Sequence, residues 1–275
     1  MKLAVSNIAW TNEEEAAVAE LLQGLGVRYV EVAPTKKWEN PTQTTRQEIE
    51  AYKKFWQSYD IEIVAFQSVL FNRTDLKLFE SESNRQATLE YLKDFTKVAG
   101  DFGAGVMVFG SPKNRQRNSM PLSEAQQIAE EFFKVLGQEA EAHGTKFCIE
   151  PNAPQYACDF ITTAQEGIDI VKKVDNPGFR LHLDTACMTL AGDDIEASIK
   201  AAEPYLEHFH ISSPMLEQVE EAAGIQHDAA ARALRSIHYQ KFVSIEMKPS
   251  KAGENIDRVR RAVQFAQQTY STDRS

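Results

Sequence analysis

The sequence is poor in cysteine and contains no long hydrophobic run. Its three cysteines, Cys148, Cys158 and Cys187, include no Cys-x-x-Cys pair, so neither a disulfide framework nor a cysteine-ligated zinc site is indicated. No apolar stretch approaches the roughly 20 residues that a membrane helix requires. These absences favour a cytoplasmic protein with reduced thiols and no membrane partner.

Positive charge is in deficit, and a signal-peptide pattern is missing. The chain has 30 basic and 40 acidic side chains, giving a net charge of −10. An acidic protein lacks the electrostatic drive for most nucleic-acid binding, so nucleic acid is not expected as a partner. Residues 1–8 are interpreted as a strand rather than a leader, because Glu13 follows soon after without a long apolar region between.

What the sequence does contain is a regular alternation of short β-rich runs and amphipathic stretches. Asn12, with Glu15 three residues later, is typical of an N-cap and capping box at the start of a helix, and Gly24 and Gly26 mark its end. Eight strands are predicted, at residues 3–8, 28–33, 62–66, 106–109, 146–150, 179–184, 206–211 and 242–247. Seven further helices are predicted, at residues 44–58, 83–100, 123–143, 162–174, 194–203, 227–239 and 255–270.

Eight strands that alternate with eight helices predict an α/β fold, a single (β/α)8 barrel. The length of 275 residues is near that of such barrels, and no linker rich in Pro, Gly or Ser divides the chain. We therefore expect one domain over residues 1–275. A doubly wound open sheet uses the same alternation and is the alternative.

Four polar residues end four consecutive predicted strands: Glu150, Asp184, His210 and Glu246. The carboxyl ends of parallel barrel strands meet at one mouth, so we expect these side chains to converge. Three carboxylates that face one another raise each other's pKa unless a cation is present. An oxygen-rich site with one nitrogen suits Mn²⁺, Mg²⁺, Co²⁺ or Zn²⁺. The sequence therefore predicts one divalent metal ion. The alternative is that the four are ordinary polar residues at strand ends without a shared ligand.

Two positions before each of these residues, on the same side of each strand, are Cys148, His182, His208 and Ser244. They are expected one layer deeper in the barrel. His182 and His208 are either hydrogen-bond partners that orient the metal ligands or, the reading we prefer, buried structural histidines.

These residues resemble the xylose-isomerase-like barrel superfamily of sugar isomerases and epimerases over nearly the whole chain. The resemblance is carried by the segments Ile149-Glu150-Pro151-Asn152, His182-Leu183-Asp184-Thr185, His208-Phe209-His210, Ile245-Glu246, Ser6-Asn7-Ile8-Ala9-Trp10 and Gly110-Ser111-Pro112. It implies that Glu150, Asp184, His210 and Glu246 bind one divalent ion. It also implies that Glu150 and Glu246 form the acid/base pair.

The resemblance further implies proton transfer beside a carbonyl. One glutamate would remove the C–H proton and the other return it from the opposite face, through a metal-bound enediolate. Return to the same carbon is epimerisation, and return to the adjacent carbon is aldose–ketose isomerisation. A metal-dependent dehydratase or lyase acting on a keto-polyol stays open, because the same proton abstraction can end in β-elimination. A binding module without turnover is disfavoured by the two glutamates.

Cys187 departs from the family pattern, since many members carry histidine at this position. DNA repair by an apurinic endonuclease, which uses the same fold, is disfavoured because no histidine precedes His143. The implied partner is a small-molecule carbohydrate. A homo-oligomer is compatible with the sequence.

Polar and aromatic residues at or beyond the strand ends are candidates for holding sugar hydroxyls. They are Trp10, Glu31, Gln67, Asn152, Tyr156 and Cys187. A basic cluster in the loop after strand four, Lys113, Arg115 and Arg117, is joined by Arg73 in the loop after strand three. We expect Lys113, Arg115 or Arg73 to hold the substrate if it is anionic, whereas an ordinary solvated loop is the alternative.

Overall fold

The computed structural model describes residues 1–220 and 224–270. Eight parallel strands pair in chain order, and the first pairs with the last, which closes the barrel. The strands are β1 (Lys2–Ser6), β2 (Tyr29–Val32), β3 (Glu62–Phe66), β4 (Val106–Phe109), β5 (Phe147–Ile149), β6 (Phe179–Asp184), β7 (Leu206–Ser212) and β8 (Phe242–Glu246). This closure excludes the doubly wound open sheet and confirms the (β/α)8 TIM barrel.

The α-helices of the described chain comprise the eight predicted ones and two short additions. They are α1 (Glu15–Gly24), α2 (Pro34–Lys37), α3 (Arg46–Gln57), α4 (Glu82–Phe102), α5 (Leu122–Ala142), α6 (Ala164–Val174), α7 (Thr185–Ala191), α8 (Ile195–Ala202), α9 (His227–Ser236) and α10 (Asn255–Tyr270). The additions, α2 and α7, follow the carboxyl ends of β2 and β6. Both therefore lie on the face of the barrel where the candidate ligands were expected.

The start of the first helix differs from the prediction by one residue. The reciprocal contact is between Thr11 and Glu14, with the Thr11 amide donating to Glu14 Oε2 at 3.0 Å. Residues 12–14 form a 3-10 turn, and α1 begins at Glu15. The predicted Asn12–Glu15 pair is therefore wrong in register, because Thr11 offers the same capping chemistry one position earlier.

Apolar side chains form two buried clusters. The larger one joins the helices to the outer faces of the strands and includes Val5 and Ile149. The smaller one includes Ala4 and Cys148, the neighbours of those residues, because successive side chains of a strand point to opposite faces. All three cysteines are buried free thiols. No helix in the described residues has both the length and the apolar content that a bilayer crossing demands.

Candidate active site

The barrel brings the predicted ligands together at the carboxyl ends of its strands. Glu150 directly follows β5, Asp184 and Glu246 end β6 and β8, and His210 lies in β7 beside Asp184 in the strand register. Ligand atoms of Glu150, Asp184 and His210 all lie within 4.8 Å of one another. Three of the four predicted ligands therefore form one compact group that could hold a metal ion.

Glu246, the fourth predicted ligand, lies outside this compact group but next to it. Its Oε2 is 3.4 Å from His210 Nδ1. In the register of β7 and β8 its backbone is paired with Ser212, two residues beyond His210. Its carboxylate therefore faces the histidine nitrogen that points into the candidate site.

His210 is held from behind by Glu31. Its Nε2 lies 2.9 Å and 3.1 Å from the two carboxylate oxygens of Glu31. Its Nδ1 is buried and makes no well-aligned hydrogen bond within the described residues. A histidine with one nitrogen held by a buried carboxylate and the other directed toward the candidate ligands is arranged as metal-binding histidines are.

Glu31 was predicted at the rim of the sugar pocket, and this placement is wrong. Its side chain is fully buried inside the barrel and is absent from the residues that line the cavity described below. Burial alone would raise the pKa of Glu31, but attraction to His210 and His208 outweighs it and lowers the pKa to about 2. Burial lowers the pKa of His210, yet Glu31 and Glu246 reverse this and raise it well above its ordinary value.

Asp184 is oriented by two donors. Its Oδ1 accepts from the Cys187 amide at 2.6 Å, which makes Asp184 the N-cap of α7, and its Oδ2 accepts from Ser212 Oγ at 2.5 Å. Burial and the nearby charge of Glu246 raise its pKa. Both carboxylate oxygens are therefore fixed in direction by the fold itself.

Glu150 lies close to two other carboxylates. Burial, followed by repulsion from Glu246 and Asp184, raises the pKa of Glu150 to about 8. Three carboxylates converge here on a single imidazole, so their negative charges are unfavourable together without a further cation. Their donor set fits one divalent ion, because oxygen ligands with one imidazole suit Mg²⁺, Mn²⁺, Co²⁺ and Zn²⁺.

A cavity of about 690 Å³ opens above these residues, within the range of small-molecule sites. Glu150, Asp184 and Glu246 form part of its lining. The predicted substrate contacts that also line it are Gln67, Asn152, Tyr156, Cys187, Lys113 and Arg73. Trp10 and Arg115 are not among the lining residues.

The predicted substrate role of Trp10 does not fit its position. Trp10 is fully buried and packs edge-on against Trp56, with ring centroids 6.3 Å apart. Lys36 Nζ lies 5.3 Å from the Trp10 ring, and its ammonium also donates to the Trp10 carbonyl at 2.5 Å. Trp10 therefore serves as packing beneath the loops.

The predicted substrate contact of Arg115 is also wrong, because its buried guanidinium holds two loops together. It is fully buried and donates to the carbonyls of Gly110 at 2.8 Å, Glu150 at 2.7 Å and Ile161 at 3.1 Å. It also donates to the Phe160 carbonyl and to Asn152 Oδ1. These acceptors tie the loop after β4 to the loop after β5, so Arg115 has a structural role.

We expect Arg115→Met to lower the free energy of unfolding by at least about 3 kcal/mol, because it leaves several buried acceptors unpaired at roughly 1–3 kcal/mol each. Urea unfolding followed by circular dichroism measures this. Lys113→Met is the matched control and should change stability by less than about 0.5 kcal/mol, as is usual for exposed positions. Equal stability of the two variants would contradict the structural role of Arg115 between the two loops.

The remaining predicted sugar contacts form a polar wall. Asn152 receives the Arg115 hydrogen bond at 2.9 Å and donates to Cys187 Sγ at 3.5 Å. Cys187 Sγ is 3.9 Å from Glu150 Oε1, and burial with the charges of Asp184 and Glu150 raises its pKa well above the ordinary value. Cys187 is therefore a neutral thiol.

Gln67 and Tyr156 lie on other parts of the cavity wall. Gln67 Nε2 donates to Ser6 Oγ at 2.6 Å, which connects β1 to the residue after β3. The hydroxyl of Tyr156 accepts from the Met215 amide at 3.0 Å. Both side chains are thus fixed by the protein before any ligand arrives.

His182 and His208 are buried below the ligands and do not line the cavity. Their Nδ1 atoms are 3.2 Å apart, and His182 Nε2 is 3.8 Å from Glu150 Oε1. Burial lowers the pKa of both, that of His208 to about 4. They pack as neutral imidazoles, in keeping with the structural reading, while an orienting role stays a prediction.

Two contributors to the site were missed in the sequence. Ser212, which fixes Asp184, comes two residues after His210 and carried no distinct signal. Gly110 is the first residue after β4, and a Cβ at this position would lie too close to Glu150 Oε2. The Gly-Ser-Pro segment was noted for its resemblance alone, although close approach of another group is a usual reason for glycine at a strand end.

Comparison with known proteins identifies the family. The profile of the xylose isomerase-like TIM barrel matches residues 19–269, and the chain belongs to this family. D-psicose 3-epimerase of Ruminiclostridium cellulolyticum is 39% identical over 80 residues, which span 29% of this chain and 27% of that protein.

Solved structures share the fold. D-psicose 3-epimerase with D-tagatose from Clostridium cellulolyticum H10 superposes with a TM-score of 0.79 and 20% identity, covering 98% of this chain and 100% of that one. The IolI protein with a bound zinc atom superposes with a TM-score of 0.76 and 19% identity, covering 99% and 100%. At these identities the likeness establishes the common architecture.

Proposed function

We propose that the protein is a divalent-metal-dependent isomerase or epimerase of a sugar or sugar derivative, acting by proton transfer beside a carbonyl. The observation that carries the proposal is the pair of carboxylates, Glu150 and Glu246, that line one cavity together with Asp184, with His210 directly beside Glu246. The local likeness to D-psicose 3-epimerase supports the same reaction class.

In this proposal Glu150, Asp184 and His210 hold the ion, with Glu246 as the fourth ligand. The zinc atom in the IolI protein supports a metal in this barrel type. When bound, the ion supplies positive charge that polarises a carbonyl and acidifies the neighbouring C–H bond. The chain's part is to fix the donors, through Glu31 behind His210 and Ser212 behind Asp184.

Glu150 and Glu246 are proposed to move the proton. Glu150 follows β5 and Glu246 ends β8. These strands are not neighbours in the barrel, so a substrate between the two glutamates would have one carboxylate on each face. Inversion at carbon needs this arrangement, because one group removes the proton and the other returns it. Burial and repulsion from Glu246 and Asp184 raise the pKa of Glu150, and a bound cation would lower it and so favour the ionised form that accepts a proton.

Gln67, Asn152, Tyr156 and Cys187 are proposed to contact the sugar hydroxyls. They line the cavity, and their partners in the protein hold them in place, so little side-chain entropy is lost when a ligand binds. Cys187 adjoins both Asn152 and Glu150. It is therefore expected to contact the part of the sugar next to the reacting carbon.

A screen of ketoses, aldoses and their phosphates with the Mn²⁺-loaded protein in D2O tests the proposal. A stereoisomer or an aldose–ketose pair with deuterium beside the carbonyl is the expected result. An unsaturated product would indicate a dehydratase or lyase. Tight metal and sugar binding without any turnover would replace the proposal with a binding module.

We expect about one divalent ion per chain, and we expect Asp184→Ala and His210→Ala each to lose it. Removing one donor from a site of three or four leaves too few ligands for tight binding. Plasma mass spectrometry after incubation with Mn²⁺ and gel filtration gives the stoichiometry. Asp169→Ala, on the exposed side of α6, is the matched control and should retain the ion. Three zinc ions per chain, or none in the unmodified protein, would contradict this prediction.

A further inference from the structure

We propose that the outer half of the cavity binds an anionic group at the end of the sugar distant from the carbonyl. We call this half the basic rim; it consists of residues 68–77 after β3 and residues 110–114 after β4. The inference rests on the proposed function and narrows its substrate class to a phosphate ester or a carboxylate of a sugar.

Charges in the cavity lining are separated by sign. The acidic lining residues lie at the inner end of the cavity, at the carboxyl ends of β5, β6 and β8: Glu150, Asp184 and Glu246. The cationic lining residues are Arg73, Lys77 and Lys113, all on the basic rim. An anionic substrate therefore has one favoured orientation, with its charge outward and its carbonyl inward.

The rim cations have donors to offer a ligand. Lys113 is exposed, and its ammonium makes no hydrogen bond or ion pair within residues 1–220 and 224–270. Lys77 Nζ donates one hydrogen bond, to the Lys113 carbonyl at 2.8 Å, whereas an ammonium carries three donors. Both lysines can therefore turn toward an anion without breaking an ion pair.

Arg73 is held differently. Its guanidinium donates to both carboxylate oxygens of Asp75, at 2.9 Å and 2.6 Å, and lies 4.3 Å from the Tyr91 ring centroid. It is thus fixed in orientation and partly neutralised. We assign the main attraction to Lys77 and Lys113, with Arg73 completing the positive wall.

The two loops of the basic rim are locked together before binding. Asn114 is buried, and its Nδ2 donates to the carbonyls of Arg73 at 2.6 Å and Leu76 at 2.7 Å. Its own carbonyl accepts from the Leu78 amide at 2.8 Å. The lysines therefore project from a rigid base, which lowers the entropy lost on binding.

The net charge of the chain adds to the argument. A protein of charge −10 repels an anion at long range, so an anionic substrate needs a local positive region to enter. A neutral sugar needs no such region. Three cations concentrated on two loops of this cavity are thus suited to a charged substrate.

Calorimetry on the metal-loaded, full-length protein tests the inference with D-fructose, D-fructose 6-phosphate, D-fructuronate and inorganic phosphate. We expect one of the two charged sugars to bind at least about tenfold more tightly than D-fructose, the scale of a charge-assisted hydrogen bond. The advantage should shrink as KCl rises. The tighter of the two charged sugars identifies the anion as phosphate or carboxylate.

A double variant, Lys77→Ala with Lys113→Ala, should lose at least about tenfold in affinity for the favoured charged sugar and change affinity for D-fructose by less than about twofold. Lys97→Ala with Lys134→Ala, on the outer surfaces of α4 and α5, removes the same charge and should behave as the unmodified protein. Equal losses in the two double variants would overturn the inference. So would equal affinity for charged and neutral sugars, or binding of inorganic phosphate alone.

The same data separate this inference from the proposed function. If neutral ketoses turn over and charged sugars bind no more tightly than neutral ones, the basic rim is not an anion site. The proposed isomerase or epimerase activity is then unaffected. If charged sugars bind through Lys77 and Lys113 but no sugar exchanges deuterium, the proposed reaction is wrong and the anion site stands as a binding site.

Discussion

Glu150→Gln and Glu246→Gln are each expected to lower turnover by at least about a hundredfold, the usual scale for losing a general acid or base. Glutamine keeps the shape of the side chain and an oxygen that can still ligate a metal. It cannot accept or return a proton. The loss should therefore appear mainly in kcat, with the fold and the metal content retained.

NMR in D2O measures this effect together with deuterium incorporation beside the carbonyl. The two variants need not behave alike, because the one that retains the abstracting carboxylate can still exchange the proton on its own face. Glu203→Gln, an exposed change of the same kind, should be fully active. Full activity in both site variants, or turnover with direct transfer of the substrate hydrogen and no solvent deuterium, would point to a hydride shift and refute the assigned roles.

Glu31→Gln is expected to weaken metal binding roughly 10–100-fold, the usual effect of altering the partner of a metal-binding histidine. Glu31 contacts His210 Nε2 through both of its oxygens. Its negative charge fixes the proton on that nitrogen and raises the basicity of Nδ1, the nitrogen that faces the site. A neutral glutamine retains one acceptor but loses the charge.

Titration with Mn²⁺ by calorimetry gives the affinity, and urea unfolding reports whether the barrel has changed. Glu62→Gln is the matched control, since it lies at the exposed start of the neighbouring strand β3 and should bind metal as the unmodified protein does. An unchanged affinity in Glu31→Gln would mean that Glu31 only neutralises buried charge and does not support the ligand.

The secondary structure could be predicted from the sequence because this fold repeats one unit, a strand followed by a helix. Each strand is a short apolar run, and each outer helix is amphipathic, so periodicity located the predicted strands and helices to within a few residues. The start of α1 was misplaced because Thr11 and Asn12 are both good caps, and the choice between them depends on Glu14. The short helix α7 was missed because its seven residues span only two turns.

The candidate site was predicted to the extent that strand position determines side-chain direction. Glu150, Asp184 and His210 converge because each lies at or near the carboxyl end of its strand. Roles that depend on distant partners could not be predicted: apart from the Gly110 carbonyl, the acceptors of Arg115 come from residues 150–161. Glu31 did carry a usable signal, since a carboxylate between Val30 and Val32 in a buried strand must find a partner.

The N-cap of α7 bears on how substrate preference can change in this barrel. Asp184 fixes the amide of Cys187 through its Oδ1, so the backbone at position 187 is set by a candidate metal ligand and not by the cysteine side chain. Another side chain there would project from the same point beside Glu150 and Asn152. If Cys187 contacts the sugar as proposed, a single exchange at this position would change the cavity wall beside the substrate and leave the backbone and the candidate ligands in place.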